Sequence, residues 1–269
     1  MDYSDPRIWS VVVALLALVL SQLPPIRELL KATKVNMTIP EQFQLYHYLG
    51  NPQINLFLDI HNLGGRKVDV SKVDCIIKDK DSEFTWRSPV RTYYSRQNIT
   101  PGQQVQELFV GTISLKSGDQ WCETVHCYQN WNRAEEERVN MIVTRIRGDI
   151  NEKSTKRGLQ QQTVGLIEAE ESLVNEAKSF FHSKWKMGEG NYQLFISLIS
   201  DSGKILCLHG FDFTLFSGYV QTLKSSLEEY KYGAGIYFPH MNIPPVWVRI
   251  VPITDHNVVM QTYQTLANV

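Results

Sequence analysis

Cys122, His126 and Cys127 lie close together in the chain, and thiolate sulfur with neutral imidazole nitrogen is the usual ligand chemistry of zinc. Their spacing matches no zinc knuckle, however, and no second ligand pair follows at the usual distance. On a strand, adjacent residues point to opposite faces, which sends His126 and Cys127 apart. The weak metal candidate therefore yields no metal assignment, and no cofactor is expected. Cys207, His209 and Asp212 offer a nucleophile, a base and an acid, with Cys207 and His209 on one strand face at spacing two. Packing is the simpler role for both. The chain has no G-x-S-x-G, Walker A, H-E-x-x-H or dinucleotide glycine pattern, so the common routes to hydrolysis, phosphate binding and hydride transfer have no sequence support.

Charge adds little. The 27 basic residues stand against 28 acidic ones, a balance that creates no global field for nucleic acid or an anionic surface. Arg145, Arg147, Lys153, Lys156 and Arg157 form a local basic cluster, but Asp149 and Glu152 dilute it and no aromatics interleave for base stacking. Nucleic acid is disfavoured as a partner.

Behind these residues stand the elements that must position them. From Ile8 to Leu23 the chain carries no charge, and the run to Arg27 would reach about 28 Å as a helix, near the hydrocarbon thickness of about 30 Å. Residues 1–26 are thus expected to be a transmembrane anchor, with Trp9 at the lipid boundary and Leu15, Leu16, Leu18 and Leu20 in the hydrocarbon. A cleaved leader and a buried core helix are the rival readings; the acidic start MDYSDPR disfavours the first. Residues 27–39 read as a juxtamembrane stalk in which Arg27, Lys31 and Lys34 meet lipid phosphate. Because these three outweigh Arg7, the expected topology is single-pass and N-out, with a cytoplasmic body and reduced cysteines.

After Pro40 the pattern alternates. Ile54, Leu56, Leu58 and Ile60 share one face, His61-Asn62-Leu63-Gly64-Gly65 turns, and Val68, Val70 and Val73 return, as in a hairpin. Further strands are expected at Phe84–Trp86, Val90–Tyr94, Val105–Leu115 and Trp121–Tyr128, with Pro101-Gly102 as a turn. This run of strand, Asn-x-Gly-Gly, strand, strand, Pro-Gly, strand resembles the immunoglobulin or fibronectin type of β-sandwich over residues 40–130. The resemblance implies an antiparallel sandwich. Asn132 and Glu135 read as a capping box before a helix with an apolar stripe of Val139, Ile142, Val143, Ile146 and Ile150, so residues 40–150 form a sandwich domain with a trailing helix. Residues 151–165 read as a loop, and 166–269 as a helix plus hairpin subdomain, with a helix near Val220–Tyr230, a strand at Val246–Ile250 and a loose tail from Thr254. The expected class is mainly β with α (α+β).

The function expected from these readings is a membrane-anchored protein-interaction module, a subunit of a larger complex. Its partners would be lipid, through the N-terminal helix, and another protein. Tyr93, Tyr94, Tyr230 and Tyr232 are candidate surface aromatics. The alternative is a tethered enzyme with a nonstandard site.

Overall fold

The computed structural model describes residues 6–22, 32–95, 106–158, 167–237 and 245–267. Its strands are β1 (Val35–Thr38), β2 (Gln42–Tyr48), β3 (Asn51–Asn62), β4 (Val68–Asp79), β5 (Thr85–Ser95), β6 (Gln106–Phe109), β7 (Ile113–Leu115), β8 (Gln120–Tyr128), β9 (Gly190–Ser200), β10 (Ile205–Leu215) and β11 (Val246–Pro252). The helices among the described residues are α1 (Pro6–Gln22), α2 (Arg133–Lys156), α3 (Glu171–Lys184), α4 (Ser217–Glu229) and α5 (His256–Ala267), with a 3-10 turn at Tyr230–Tyr232.

Eight strands close on themselves in the order β5-β8-β3-β2-β11-β10-β9-β4, and β4 returns to β5. All pairings are antiparallel. The fold is therefore a closed β-barrel, which corrects the immunoglobulin-like sandwich. Two non-local pairings produce the closure. β5 pairs with β4 from Thr85 to Pro89 and with β8 from Val90 to Tyr94, turning at a register shift between Val90 and Thr92; such a bulge bends a strand and raises its twist. β11 reaches back from the C-terminal part of the chain and lies between β2 and β10.

Alternation then sorts the side chains. Leu45, Ile54, Leu58, Val125 and Ile196 point inward and are fully or almost fully buried, while their sequence neighbours point out. One end of the barrel is filled by helices: Phe180 and Phe181 of α3, Leu223 of α4 and Tyr230 belong to the same core. Each fully buried phenylalanine contributes about 2 kcal/mol of apolar burial. The β2–β3 turn seats against α3, because Gly50 adopts φ 87 and a Cβ there would lie 2.6 Å from the Phe181 carbonyl oxygen. α2 starts at the expected capping box, with Glu135 N–H donating to Asn132 Oδ1 at 2.9 Å and Asn132 N–H to Glu135 Oε2 at 2.9 Å. Its buried stripe is Val139, Ile142 and Ile146.

Among the described residues, no helix is long and apolar enough to cross a membrane. α1 has 17 residues, about 26 Å of helix against about 30 Å of hydrocarbon. This overturns the transmembrane anchor, the single-pass topology and the cytoplasmic placement that rested on it. Trp9, Leu15, Leu16, Leu18 and Leu20 are all more than half exposed on α1. Arg27 and Lys31 lie outside the described residues, as does Pro101-Gly102. The segment read as a stalk contains β1, which pairs with β3 from Val35–Asn62 to Thr38–Asp59. Lys34 accepts from Leu63 N–H and Gly64 N–H through its carbonyl. α2 runs on to Lys156, into the expected loop, whose residues 159–165 lie outside the described ones.

The tail from Thr254 is packed rather than loose. α5 covers the outer wall of β4, β9 and β10, where Ile76, Phe195 and Leu208 form a second apolar cluster with Val259 and Tyr263. Ser197 Oγ and Tyr263 Oη lie 2.7 Å apart, and Arg87 Nη1 donates to the Ala267 carbonyl at 3.1 Å. Gly210 makes the approach possible, since a Cβ there would sit 2.8 Å from Val259 Cγ2. Gly210→Val is expected to push α5 off its wall and to cost about 2 kcal/mol from overpacking. Urea unfolding of the variant measures it, and an unchanged midpoint would remove Gly210 as the contact that sets the helix position.

Candidate functional site

The outer face of β11, β2, β3, β8, β5 and β6 carries a row of side chains set by strand register: Trp247, Gln44, Asn55, His126, Thr92 and Phe109. Six strands at about 4.8 Å spacing make this row about 24 Å long. Its ends are open, with Trp247 55% and Phe109 85% exposed. Beside it, Tyr46, Gln53 and Tyr128 form a parallel row, which borders a cavity of about 430 Å³ lined also by Tyr48, Trp131 and Glu136. Arg249 stands opposite Gln42, and Glu107 opposite Tyr94. Aromatic rings and amides thus occupy outward positions that usually carry lysine or glutamate.

At the centre is a carboxylate–imidazole–phenol chain. His126 Nδ1 lies 3.0 Å from Glu107 Oε1, and His126 Nε2 lies 2.8 Å from Tyr46 Oη. Thr92 Oγ1 also donates to Glu107 Oε1. With Nδ1–H donating to the carboxylate, Nε2 accepts from the Tyr46 hydroxyl. A proton on Nε2 would instead turn that hydroxyl toward Asn55 Oδ1, 3.2 Å away. Asn55 Nδ2 in turn donates to Gln44 Oε1 at 3.2 Å. The rings of Tyr46, Tyr94 and Tyr128 surround the imidazole at 5.7, 6.3 and 4.8 Å between centroids. Burial, then the nearby Tyr94, holds the Tyr46 phenol well above its ordinary pKa. Burial and the Glu107 charge raise Tyr94 and Tyr128 as well. All three phenols therefore stay protonated at neutral pH, as hydrogen-bonding groups rather than nucleophiles.

The residues singled out by sequence are dispersed. Cys122 and His126 share the outer face, where Cys122 Sγ donates to Asp59 Oδ1 at 3.1 Å. Burial followed by the Asp59 contact pushes that thiol up. Cys127 points inward and is fully buried; its hydrogen bond to Cys75 is the first cause that raises the Cys75 thiol, ahead of burial. All four cysteines carry free thiols. No group of three His, Cys, Asp or Glu able to hold a metal occurs among the described residues. Cys207 and His209 do share an inward face, opposite Leu198 and Ile196. Burial pushes the Cys207 thiol up and the His209 imidazole down, with a Met37 backbone hydrogen bond opposing each shift. Asp212 points outward to Lys80 Nζ at 2.7 Å.

In the basic cluster, Arg145 pairs with Glu176 at 2.6 Å, Lys153 with Asp149 at 2.7 Å and Lys156 with Glu152 at 2.6 Å. The four tyrosines likewise scatter: Tyr93 packs on Trp121, Tyr94 stacks near His126, Tyr230 is fully buried, and Tyr232 Oη donates to Glu168. Sequence reasoning missed Tyr46, Asn55 and Glu107. The signal was the outward set of Gln42, Gln44, Tyr46, Gln53 and Asn55, polar or aromatic at every alternate position.

Fold and face together define a closed antiparallel β-barrel, plugged by helices at one end and carrying an aromatic–amide face on one wall. No protein-family model matches the chain, and no curated protein matches it. Among solved structures it is similar to the crystal structure of Spo0M, sporulation control protein, from Bacillus subtilis, at 8% identity and a TM-score of 0.25. The match covers 74% of this chain and 56% of that one. A TM-score so low is below the level of a shared fold.

Proposed function

We propose that this chain is a protein-interaction module, a subunit of a larger complex, that meets its partner through the outer face of β11, β2, β3, β8 and β5. The observation that carries this is the register row itself, from the half-exposed Trp247 through Gln44 and Asn55 to His126. Aromatic residues and arginine are enriched at the centres of protein interfaces, whereas lysine, glutamate and aspartate are depleted. Arg249 stands at the β11 end of this face, and the Glu107 carboxylate within it is engaged by His126 and Thr92. The hydrogen bonds that lock Tyr46, His126 and Asn55 fix these side chains before binding, which lowers the entropy cost of association. An acid–base role for Glu107, His126 and Tyr46 is the competing reading. The enclosed and already bonded phenol argues for recognition instead.

The test is site-directed photo-crosslinking in cells, with the reactive side chain at position 247 and, as control, at position 258 on the exposed side of α5. A discrete adduct from 247 alone is the expected result, and Trp247→Ala should weaken the identified partner by about 2 kcal/mol, roughly thirtyfold. Equal labelling from both positions would sink the proposal.

A further inference from the structure

We propose that the cavity of about 430 Å³ between the outer barrel wall and the start of α2 binds a neutral sugar unit of an oligosaccharide. Strand register builds its floor, with Tyr128 opposite Gln53 and Tyr48 opposite Asn51. The chain leaving β8 then raises a wall, with Trp131 just before the N-cap Asn132 and Glu136 in the first turn of α2. Tyr48, Gln53, Tyr128 and Trp131 are half-buried. The Trp131 ring is backed by Phe180, 5.5 Å away between centroids, and the Tyr48 hydroxyl donates to the Ile236 carbonyl at 3.0 Å. Asn51 is only 6% exposed, and its Nδ2 donates to the Gln129 carbonyl at 2.7 Å. Its Oδ1 has no partner among the described residues, yet it is not one of the polar atoms sealed from solvent. The Gln53 amide and the Tyr128 hydroxyl are also without partners among the described residues. A carboxamide so buried ordinarily has both its ends satisfied; here the acceptor is left for a ligand.

The lining selects the kind of ligand. Amides and a protonated phenol present donors and acceptors side by side, as the hydroxyls of a sugar do, and half-buried rings can cover the apolar C–H face of a pyranose. Among the described residues no lysine, arginine or histidine lines the cavity, and Glu136 is its single charged side chain. A phosphate or carboxylate ligand would therefore lose its hydration without gaining a counter-charge. A wholly apolar ligand would strand the free groups of Asn51, Gln53 and Tyr128 without water. The volume falls within the range of small-molecule sites, about 300 to 1,000 Å³. A smaller cavity of about 160 Å³ shares Asn51, Gln129, Asn130 and Trp131 with it, which gives a sugar chain room to continue past the indole. Sugar binding by the isolated chain needs no protein partner, so it stands or falls separately from the interaction face.

The full chain is applied to an array of neutral oligosaccharides built from glucose, galactose, mannose, xylose and N-acetylglucosamine, and the best binder is titrated by saturation-transfer NMR. Saturable binding of at least one is expected, with its uronic acid counterpart weaker by about tenfold or more. Gln53→Ala should weaken the titrated sugar by about tenfold and leave the urea midpoint unchanged, because that amide is unbonded in the free protein. Trp131→Leu should weaken it at least as much. Since Trp131 also packs on Phe180, Gln53→Ala is the deciding variant. Binding to none of the arrayed sugars overturns the proposal, as does an unchanged affinity in Gln53→Ala. Adenosine binding more tightly than every sugar would overturn it too, by making the rings a platform for a base.

Discussion

Asn62→Ala is expected to destabilise the protein by about 4 kcal/mol, far more than truncation of one polar side chain ordinarily does. Asn62 is fully buried at the end of β3. Its Nδ2 donates to the carbonyls of Arg66 at 2.8 Å, Leu115 at 3.1 Å and Lys116 at 3.0 Å, and its Oδ1 accepts from Gly64 N–H at 3.0 Å. One side chain thus ties the β3–β4 turn to the β7–β8 turn. Its backbone does the same, accepting from Gly118 N–H and donating to the Asp119 carbonyl. After truncation the Gly64 N–H keeps the Lys34 carbonyl and the Lys116 carbonyl keeps the Asp119 N–H, whereas the carbonyls of Arg66 and Leu115 lose the amide donor, each at about 1 to 3 kcal/mol. Asn62→Asp should be no milder, because a carboxylate would replace the donor that faces three carbonyl oxygens. Urea unfolding at neutral pH checks this. A loss below about 1 kcal/mol would mean that water or a shifted turn replaces the lost bonds.

The second large effect is on pH dependence and resides in His47. The imidazole is 1% exposed, edge-on to Phe181 and Trp185. Its Nε2 lies 2.9 Å from the Leu223 carbonyl and 3.0 Å from Ser226 Oγ, while Nδ1 has no partner. Burial lowers its pKa to about 4, with the Leu223 carbonyl opposing the shift. The unfolded chain binds this proton near pH 6.5 and the folded chain only near 4, so between those values the unfolded state holds more protons. Stability therefore has its full value above pH 6.5 and falls as pH drops toward 4, by about 3 kcal/mol. His209, whose imidazole burial also lowers, acts in the same direction. His47→Leu should flatten most of the slope, and the fold should survive because Ser226 Oγ keeps its own bond to the Leu223 carbonyl. Urea midpoints taken across this range for both proteins measure the difference. Parallel curves between pH 6.5 and 4 would exclude His47 as the titrating group.

The local elements were legible because each depends on side chains near one another in sequence. Alternation at Ile54, Leu56, Leu58 and Ile60 marks β3, and Asn132 with Glu135 marks the start of α2. Period-two and period-3.6 burial is written into every amphipathic segment. The same logic separates Cys122 from Cys127 and puts Cys207 and His209 together.

Closure of the barrel lay beyond that logic. A sandwich and a barrel present the same alternation of inward and outward residues; they differ in which strands meet. Here the meeting depends on the bulge at Val90–Thr92, which hands β5 from β4 to β8, and on β11, about 200 residues after β2 in the chain, pairing beside it. The apolar N-terminal run showed its composition in the sequence, whereas the helical length it reaches, Pro6–Gln22, is a property of the folded chain. Likewise, each outward Gln, Asn, Tyr and His was visible as a residue type. Only strand register carries Trp247, Gln44, Asn55 and His126 into one row, and only a pairing of β5 with both β6 and β8 brings Glu107 to the imidazole that Tyr46 also holds. Sequence alone determined the faces of the strands and helices, because those follow from local periodicity; the tertiary structure decided which faces became one surface, because contacts between distant strands depend on how the whole chain closes.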